Sequence, residues 1–332
     1  MQELIAAKKH FARIGWLYLG ASVLISLLSW VMGIVLWIVA PRLLYNMNLN
    51  MIFGMMPMYL IAFPLLALLM KKLVPGERIE RRKMSAGQYV LSAIICIGIA
   101  YAANIVGLIM TGIIGLVTGN EVENEINTIV TSLSPWAVLF LTVLCAPIME
   151  ELVFRKLIVD RTVRYGQGIA VVISGLMFGL FHGNLNQFVY AAAIGTFLAY
   201  LYVKTGNIKI TISLHMLFNF IGGFLPTMLM RRLDPERLME LSGSGSEYEM
   251  VRALGPDVIW LLLYVVLALF VFGMLAAGVI LFIVFAAMRK FTFSPGQTAV
   301  PKELKLSLAF GNLGMAAFCL YWAVQIIAQL FE

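Results

Sequence analysis

Hydrophobic residues run through this chain in long blocks, with neither the strict alternation of strands nor the narrow stripe of a soluble amphipathic helix. A helix that crosses a bilayer needs roughly 20 apolar residues. On that measure the pattern predicts nine segments, near 14–39, 52–70, 87–117, 135–157, 167–183, 187–203, 208–230, 257–287 and 306–330. The third and eighth are long enough to tilt or to extend past the membrane. The last is interrupted by Gly311, Asn312 and Gly314, so eight or nine spans are expected. Without period-2 alternation a closed barrel is excluded, and helices are the remaining way to satisfy backbone amides in hydrocarbon. The expected fold is an all-α polytopic transmembrane helical bundle forming a single integral membrane domain over 1–332.

Composition strengthens this picture. Hydrophobic residues make up 61% of the chain and charged residues only 12%, with a mean hydropathy of +0.93, well outside the range of soluble domains. The net charge of +7 is a topology pattern, because the cations collect in short loops beside helix ends. Lys71, Lys72, Arg78, Arg81, Arg82 and Lys83 share one loop, which the positive-inside rule places in the cytoplasm. Counting alternately, Arg161, Arg164, Lys204, Lys209, Arg289 and Lys290 join it there, and Lys8, Lys9 and Arg13 put the N-terminus on the same side. The acidic loop with Glu121, Glu123 and Glu125 then lies outside. Against the rule, the outer loop 231–256 holds Arg231, Arg232, Arg237 and Arg252, accompanied by Asp234, Glu236, Glu240, Glu247 and Glu249. No nucleic-acid partner is needed to explain the charge. The first span is too long for a signal-peptide core and is expected to be retained as an anchor. Cys96, Cys145 and Cys319 have neither paired nor CxxC spacing, so no disulfide framework or thiolate metal site is indicated. Ser242-Gly243-Ser244-Gly245-Ser246 reads as a flexible outer-loop segment.

Several polar residues fall where a bilayer should exclude them. Pro135 to Met149 is an uncharged run, and Glu150-Glu151 follow at once, about 22 Å into a core about 30 Å thick. Glu151 and Arg155, spaced i,i+4, can pair on one face, with Glu150 rotated about 100° away and left free. One carboxylate can then orient while the other reacts. Pro147 removes a backbone donor just before the pair. An ordinary cytoplasmic helix end, with Arg155 and Lys156 snorkelling, is the plainer account. The histidines weigh against it: of three in the chain, His182 and His215 lie in apolar segments. Phe178 shares a face with His182, and Asn219 shares one with His215. A glutamate beside a neutral histidine can deprotonate water and later protonate a leaving amine, while donors such as His215 and Asn219 can stabilise an oxyanion. Glu150, His182 and His215 could instead hold a zinc ion that carries the water, although the HExxH signature is absent.

In order along the chain, Glu150-Glu-Leu-Val-Phe-Arg155 fits EExxxR, Phe178-Gly-Leu-Phe-His182 fits FxxxH and His215-Met-Leu-Phe-Asn219 fits HxxxN. With these the chain resembles the CAAX protease and bacteriocin-processing family of intramembrane proteases over about 135–222, including Ras-converting type II prenyl endopeptidases and lysostaphin-resistance-protein-like members. The resemblance implies a membrane-embedded endopeptidase, of a class for which metal-dependent and metal-free mechanisms have both been advanced. In it Glu150 and His182 activate water, His215 and Asn219 stabilise the oxyanion, and Glu151 and Arg155 support them. The implied setting is a bacterial plasma membrane with a cytoplasmic N-terminus, and the implied partners are membrane-associated peptides or proteins and the lipid bilayer. A proton-coupled transporter and a non-catalytic bacteriocin-immunity-type protein are the alternatives. Rhomboid-like chemistry fits less well, since Ile173-Ser174-Gly175 lacks the first glycine of GxSG.

Measured from the cation-rich loops, His215 lies roughly 9 Å deep, Glu150 roughly 15 Å and His182 roughly 27 Å. These depths agree only if the fifth helix starts in the cytoplasm or tilts, or if the polar break Gly183-Asn184-Leu185-Asn186 lies inside the protein beside a cavity, which is the preferred account.

Overall fold

A computed structural model describes residues 1–119, 131–233, 255–298 and 300–331. The acidic loop around Glu121 to Glu125, most of the mixed-charge loop and its Ser-Gly segment lie outside these residues. The described residues are mostly helical, with longer non-helical connections at 74–85 and 288–298. In chain order the principal helices are α1 (Gln2–Val39), α2 (Met47–Leu73), α3 (Ala86–Thr118), α4 (Pro135–Tyr165), α5 (Gln167–Leu180), α6 (Leu185–Thr205), α7 (Ile208–Met230), α8 (Gly255–Ala287), α9 (Lys302–Phe310) and α10 (Leu313–Gln329).

Among the described residues seven helices are long and apolar enough to cross a membrane, and α9 with α10 makes eight if that pair, bent by 63°, is one span. This meets the lower of the two expected counts. The fifth predicted segment, 167–183, does form a helix, but α5 has only 14 residues, about 21 Å. It is a buried central helix, with α4, α6, α9 and α10 packed around it. The bend between α9 and α10 sits where the sequence is broken: Asn312 caps α10 by accepting from Met315 N at 3.0 Å and donates from Nδ2 to Ala309 O at 2.7 Å.

Three helices widen into π-helical turns, each just ahead of a proline. Pro57–Ala62 precedes Pro64, Val138–Cys145 precedes Pro147 and Phe220–Phe224 precedes Pro226. A proline ring crowds the carbonyl four residues back and offers no N–H to it; those carbonyls belong to Leu60, Val143 and Gly222, each inside a widened turn. Widening relieves the crowding without breaking the helix.

α5 and α6 form a tight hairpin along a seam of small residues. A Cβ on Gly179 would lie 2.7 Å from Ala192 Cβ, and one on Gly195 would lie 2.7 Å from Phe178 Cδ1. Such seams let membrane helices approach closely where no hydrophobic effect separates protein from lipid. We expect Gly195→Ala to cost about 1–3 kcal/mol through overpacking and to displace the Phe178 ring. Thermal unfolding in detergent checks this, and an unchanged midpoint would show that the seam tolerates a methyl group.

The cation-bearing segments gather at one end of the bundle. His10 Nε2 donates to Arg161 O at 2.8 Å, Arg161 Nε donates to Met70 O and Val74 O, and Arg82 N donates to Thr205 O at 2.8 Å. His10, for which the sequence suggests no role, is therefore a tie between α1 and α4.

Candidate active site

α4 carries the glutamate pair, and its second widened turn, Glu151–Leu157, has no proline behind it. Side chains from neighbouring helices take up carbonyls in this turn instead. Tyr18 Oη donates to Val153 O at 2.6 Å and Ser174 Oγ donates to Phe154 O at 2.8 Å. Asn219 does the same for the earlier widened turn, donating from Nδ2 to Thr142 O at 2.8 Å. π-turns concentrate at functional sites, and here two of them flank Glu150.

Glu151 and Arg155 pair as their spacing suggests, Nη2 to Oε1 at 3.2 Å, with both side chains fully buried. The Arg155 guanidinium also lies over the Phe178 ring, 4.2 Å from its centroid. Glu150 is not left free on another face, contrary to the sequence expectation. His215 on α7 stands between the two carboxylates, with Nδ1 3.0 Å from Glu151 Oε1 and Nε2 3.6 Å from Glu150 Oε2. Spacing along α4 alone does not reveal this contact, because His215 comes from α7 and reaches both carboxylates with its two ring nitrogens. A difference between the two acids survives: the Glu150 side chain is 22% exposed and that of Glu151 0%. Glu151 therefore has the surroundings of an orienting group, and Glu150 is the one a reactant can reach.

Phe178 is fully buried and packs edge-on to both histidines, with ring centroids 4.8 Å from His182 and 5.7 Å from His215. His182 Nδ1 lies 2.8 Å from Phe178 O. A carbonyl only accepts, so Nδ1 carries the proton and Nε2 is left as an acceptor. The same logic puts the proton of neutral His215 on Nδ1, facing Glu151. Asn219 uses one amide hydrogen on Thr142 O and retains a second. Both His215 and Asn219 thus face α4, as their shared stripe predicts. Among the described residues His182 has no carboxylate within ion-pair distance.

The polar break between α5 and α6 is built into the protein interior. Gly183 adopts φ +72° and, together with the Asn184 cap on Gln187 N, turns the chain back into α6. Asn184, Asn186 and Gln187 are buried, and Asn186 Oδ1 accepts from Thr111 Oγ1 of α3 at 3.0 Å. The break lies inside the protein, where such backbone is tolerated.

Among the described residues no three His, Cys, Asp or Glu side chains converge as a metal ion would require. Glu150, His182 and His215 are not gathered into one ligand set in this arrangement, so no step below is routed through a metal.

Two tyrosines near the site escaped the sequence reading. Among the described residues Tyr59 Oη of α2 is sealed from solvent without a hydrogen-bond partner, and the Tyr190 ring of α6 lies 6.2 Å from that of Phe218, the neighbour of Asn219. A tyrosine inside an apolar helix carries no motif. The proline at position 64 behind Tyr59 was the available clue, because it widens the turn that bears it.

Fold and site together define a polytopic helical membrane protein with a buried carboxylate–imidazole–carboxylate centre. Residues 131–221 match the family described as Type II CAAX prenyl endopeptidase Rce1-like. The chain is also 30% identical over 165 residues to "Putative membrane peptidase YdiL" of Bacillus subtilis (strain 168), covering 48% of this chain and 66% of that protein. No solved structure matches the chain at a significant level. The match to the Rce1-like family spans the segment that contains the three motifs, so the resemblance they carry holds there.

Proposed function

We propose that this protein is an intramembrane endopeptidase that hydrolyses peptide bonds in membrane-associated peptides or proteins. The observation that carries the reading is the His215 imidazole held between the buried Glu151 and the accessible Glu150. The 3.6 Å between Glu150 Oε2 and His215 Nε2 exceeds a good direct hydrogen bond, which leaves the accessible Glu150 carboxylate able to hold a water beside the pair.

In this mechanism Glu150 takes a proton from that water as hydroxide adds to the scissile carbonyl carbon. The His182 Nε2 acceptor also serves the water, coupled to Glu150 through it and not by a direct bond. The oxyanion receives hydrogen bonds from the second amide hydrogen of Asn219 and from His215 Nε2, to which Glu150 relays the water proton and from which it recovers that proton before collapse. Collapse of the tetrahedral intermediate breaks the C–N bond, and the proton held by Glu150 passes to the leaving amine. Glu151 and Arg155 fix the tautomer and orientation of His215 throughout. The cation-rich end of the bundle faces the cytoplasm in this reading, with the N-terminus there and a bacterial plasma membrane as the setting.

The test is cleavage of a membrane-delivered peptide library, including lipid-anchored C-terminal peptides because the matched family's name describes them. Purified protein is expected to cut a subset with or without a chelator. Loss of cutting on chelation, restored by zinc, would instead assign Glu150, His182 and His215 as metal ligands. Failure to cut any peptide would favour the transporter or immunity readings.

A further inference from the structure

A cavity lies away from the glutamate pair, at the cation-rich end of the bundle between α3, α6 and α8. Its volume is about 220 Å³. Its residues change character along each helix. On α3 the lining runs from Gln88 near the helix start to Leu91 and Ile95, about 10 Å deeper. On α6 it runs from Lys204 at the loop end to Phe197, and on α8 from Lys290 beyond the helix end to Phe285. The groove is thus cationic at the loop end and apolar toward the membrane interior.

The cationic end is built by the fold. Arg289 takes a left-handed conformation, φ 53°, which is unusual for a residue with a side chain. It folds the chain back so that Lys290 N donates to Phe285 O at 2.9 Å and Tyr200 Oη donates to Lys290 O at 3.4 Å. Phe291 then packs edge-on to Tyr200, with centroids 5.3 Å apart. Lys204 Nζ is held by neutral oxygens, Gln167 Oε1 at 3.0 Å and Thr292 Oγ1 at 3.3 Å, with the Tyr200 ring centroid at 5.7 Å. Among the described residues neither Lys204 nor Lys290 is in an ion pair. Lys156, by contrast, contacts Asp160 at 2.6 Å. Two ammonium groups at the mouth of an apolar groove, with no carboxylate to neutralise them, complement a ligand that has an anionic head and a hydrocarbon tail.

We infer that the groove between α3, α6 and α8 binds an anionic phospholipid, with its phosphate on Lys204 and Lys290 and an acyl chain along Leu91, Ile95, Phe197 and Phe285. Basic pockets between transmembrane helices select anionic headgroups in this way. The site is separate from the proposed peptidase centre and does not depend on it.

The experiment is lipid binding to the full-length protein in a non-ionic detergent, read by native mass spectrometry. Phosphatidylglycerol, phosphatidylcholine and inorganic phosphate are titrated separately. Phosphatidylglycerol is expected to be retained in preference to phosphatidylcholine, and phosphate alone should not compete at equal concentration. Lys204→Gln/Lys290→Gln should weaken phosphatidylglycerol about 30-fold, whereas Lys8→Gln/Lys9→Gln, with the same change in charge, should not. Leu91→Trp fills the apolar end and should also reduce retention; a monodisperse elution profile establishes that each variant is folded. The inference is overturned if the two lipids bind equally, if the control pair weakens binding as much as the groove pair, if both groove variants retain the lipid as wild type does, or if phosphate competes as well as the lipid.

Discussion

Glu150→Gln is expected to lower the cleavage rate about 10²- to 10⁴-fold, the contribution usual for a positioned general base, while the protein stays folded. Glutamine keeps the volume of the side chain and one carbonyl oxygen but cannot accept a proton from water. The loss should therefore fall on kcat and leave KM nearly unchanged, since an interaction made only in the transition state is removed. Folding should survive because Glu150 is partly exposed and its 3.6 Å contact with His215 is looser than the fully buried pairing of Glu151 with Arg155. Steady-state kinetics on one defined peptide, with thermal unfolding measured alongside, separates the two effects. Equal rates for the variant and wild type would remove Glu150 from the chemistry.

Arg155→Leu is expected to have the largest effect on stability, a loss of about 3–5 kcal/mol, because it strands the Glu151 carboxylate in a site with no exposure. Adding Glu151→Gln should recover much of that loss. The glutamine carries no charge to strand, and its Oε1 still accepts from His215 Nδ1. Activity need not return with stability, because His215 would then be oriented by a neutral acceptor. Unfolding of the four proteins in the cycle gives the coupling directly. Strict additivity would show that Arg155 stabilises the site through its stacking on Phe178 and not through Glu151.

Much of this was legible in the sequence, and the reasons are physical. Apolar runs mark membrane helices because lipid leaves the backbone no other option, and most segments appear as helices near their expected positions. The i,i+4 spacings of Glu151 with Arg155, Phe178 with His182, and His215 with Asn219 hold because local helix geometry sets which side chains share a face. The burial of the break at Gly183 followed from its polarity and from the depth conflict. What the sequence did not reveal depends on irregular backbone and on distant partners. The widened turns arise from prolines three residues or fewer ahead and from hydroxyl donors on α1 and α5, so neither the approach of Glu150 to His215 nor the capture of Thr142 O by Asn219 follows from periodicity. The brevity of α5 was concealed because a buried central helix is as apolar as a spanning one.

The most direct measurement of the central claim is cleavage of a bilayer-reconstituted peptide in ¹⁸O-labelled water, with wild type and Glu150→Gln reconstituted at equal, folded amounts. The account predicts that wild type releases two fragments, the N-terminal one carrying a single solvent oxygen in its new carboxylate, and that Glu150→Gln releases almost none. Cleavage at equal rates by both proteins, or fragments without solvent oxygen, would contradict it.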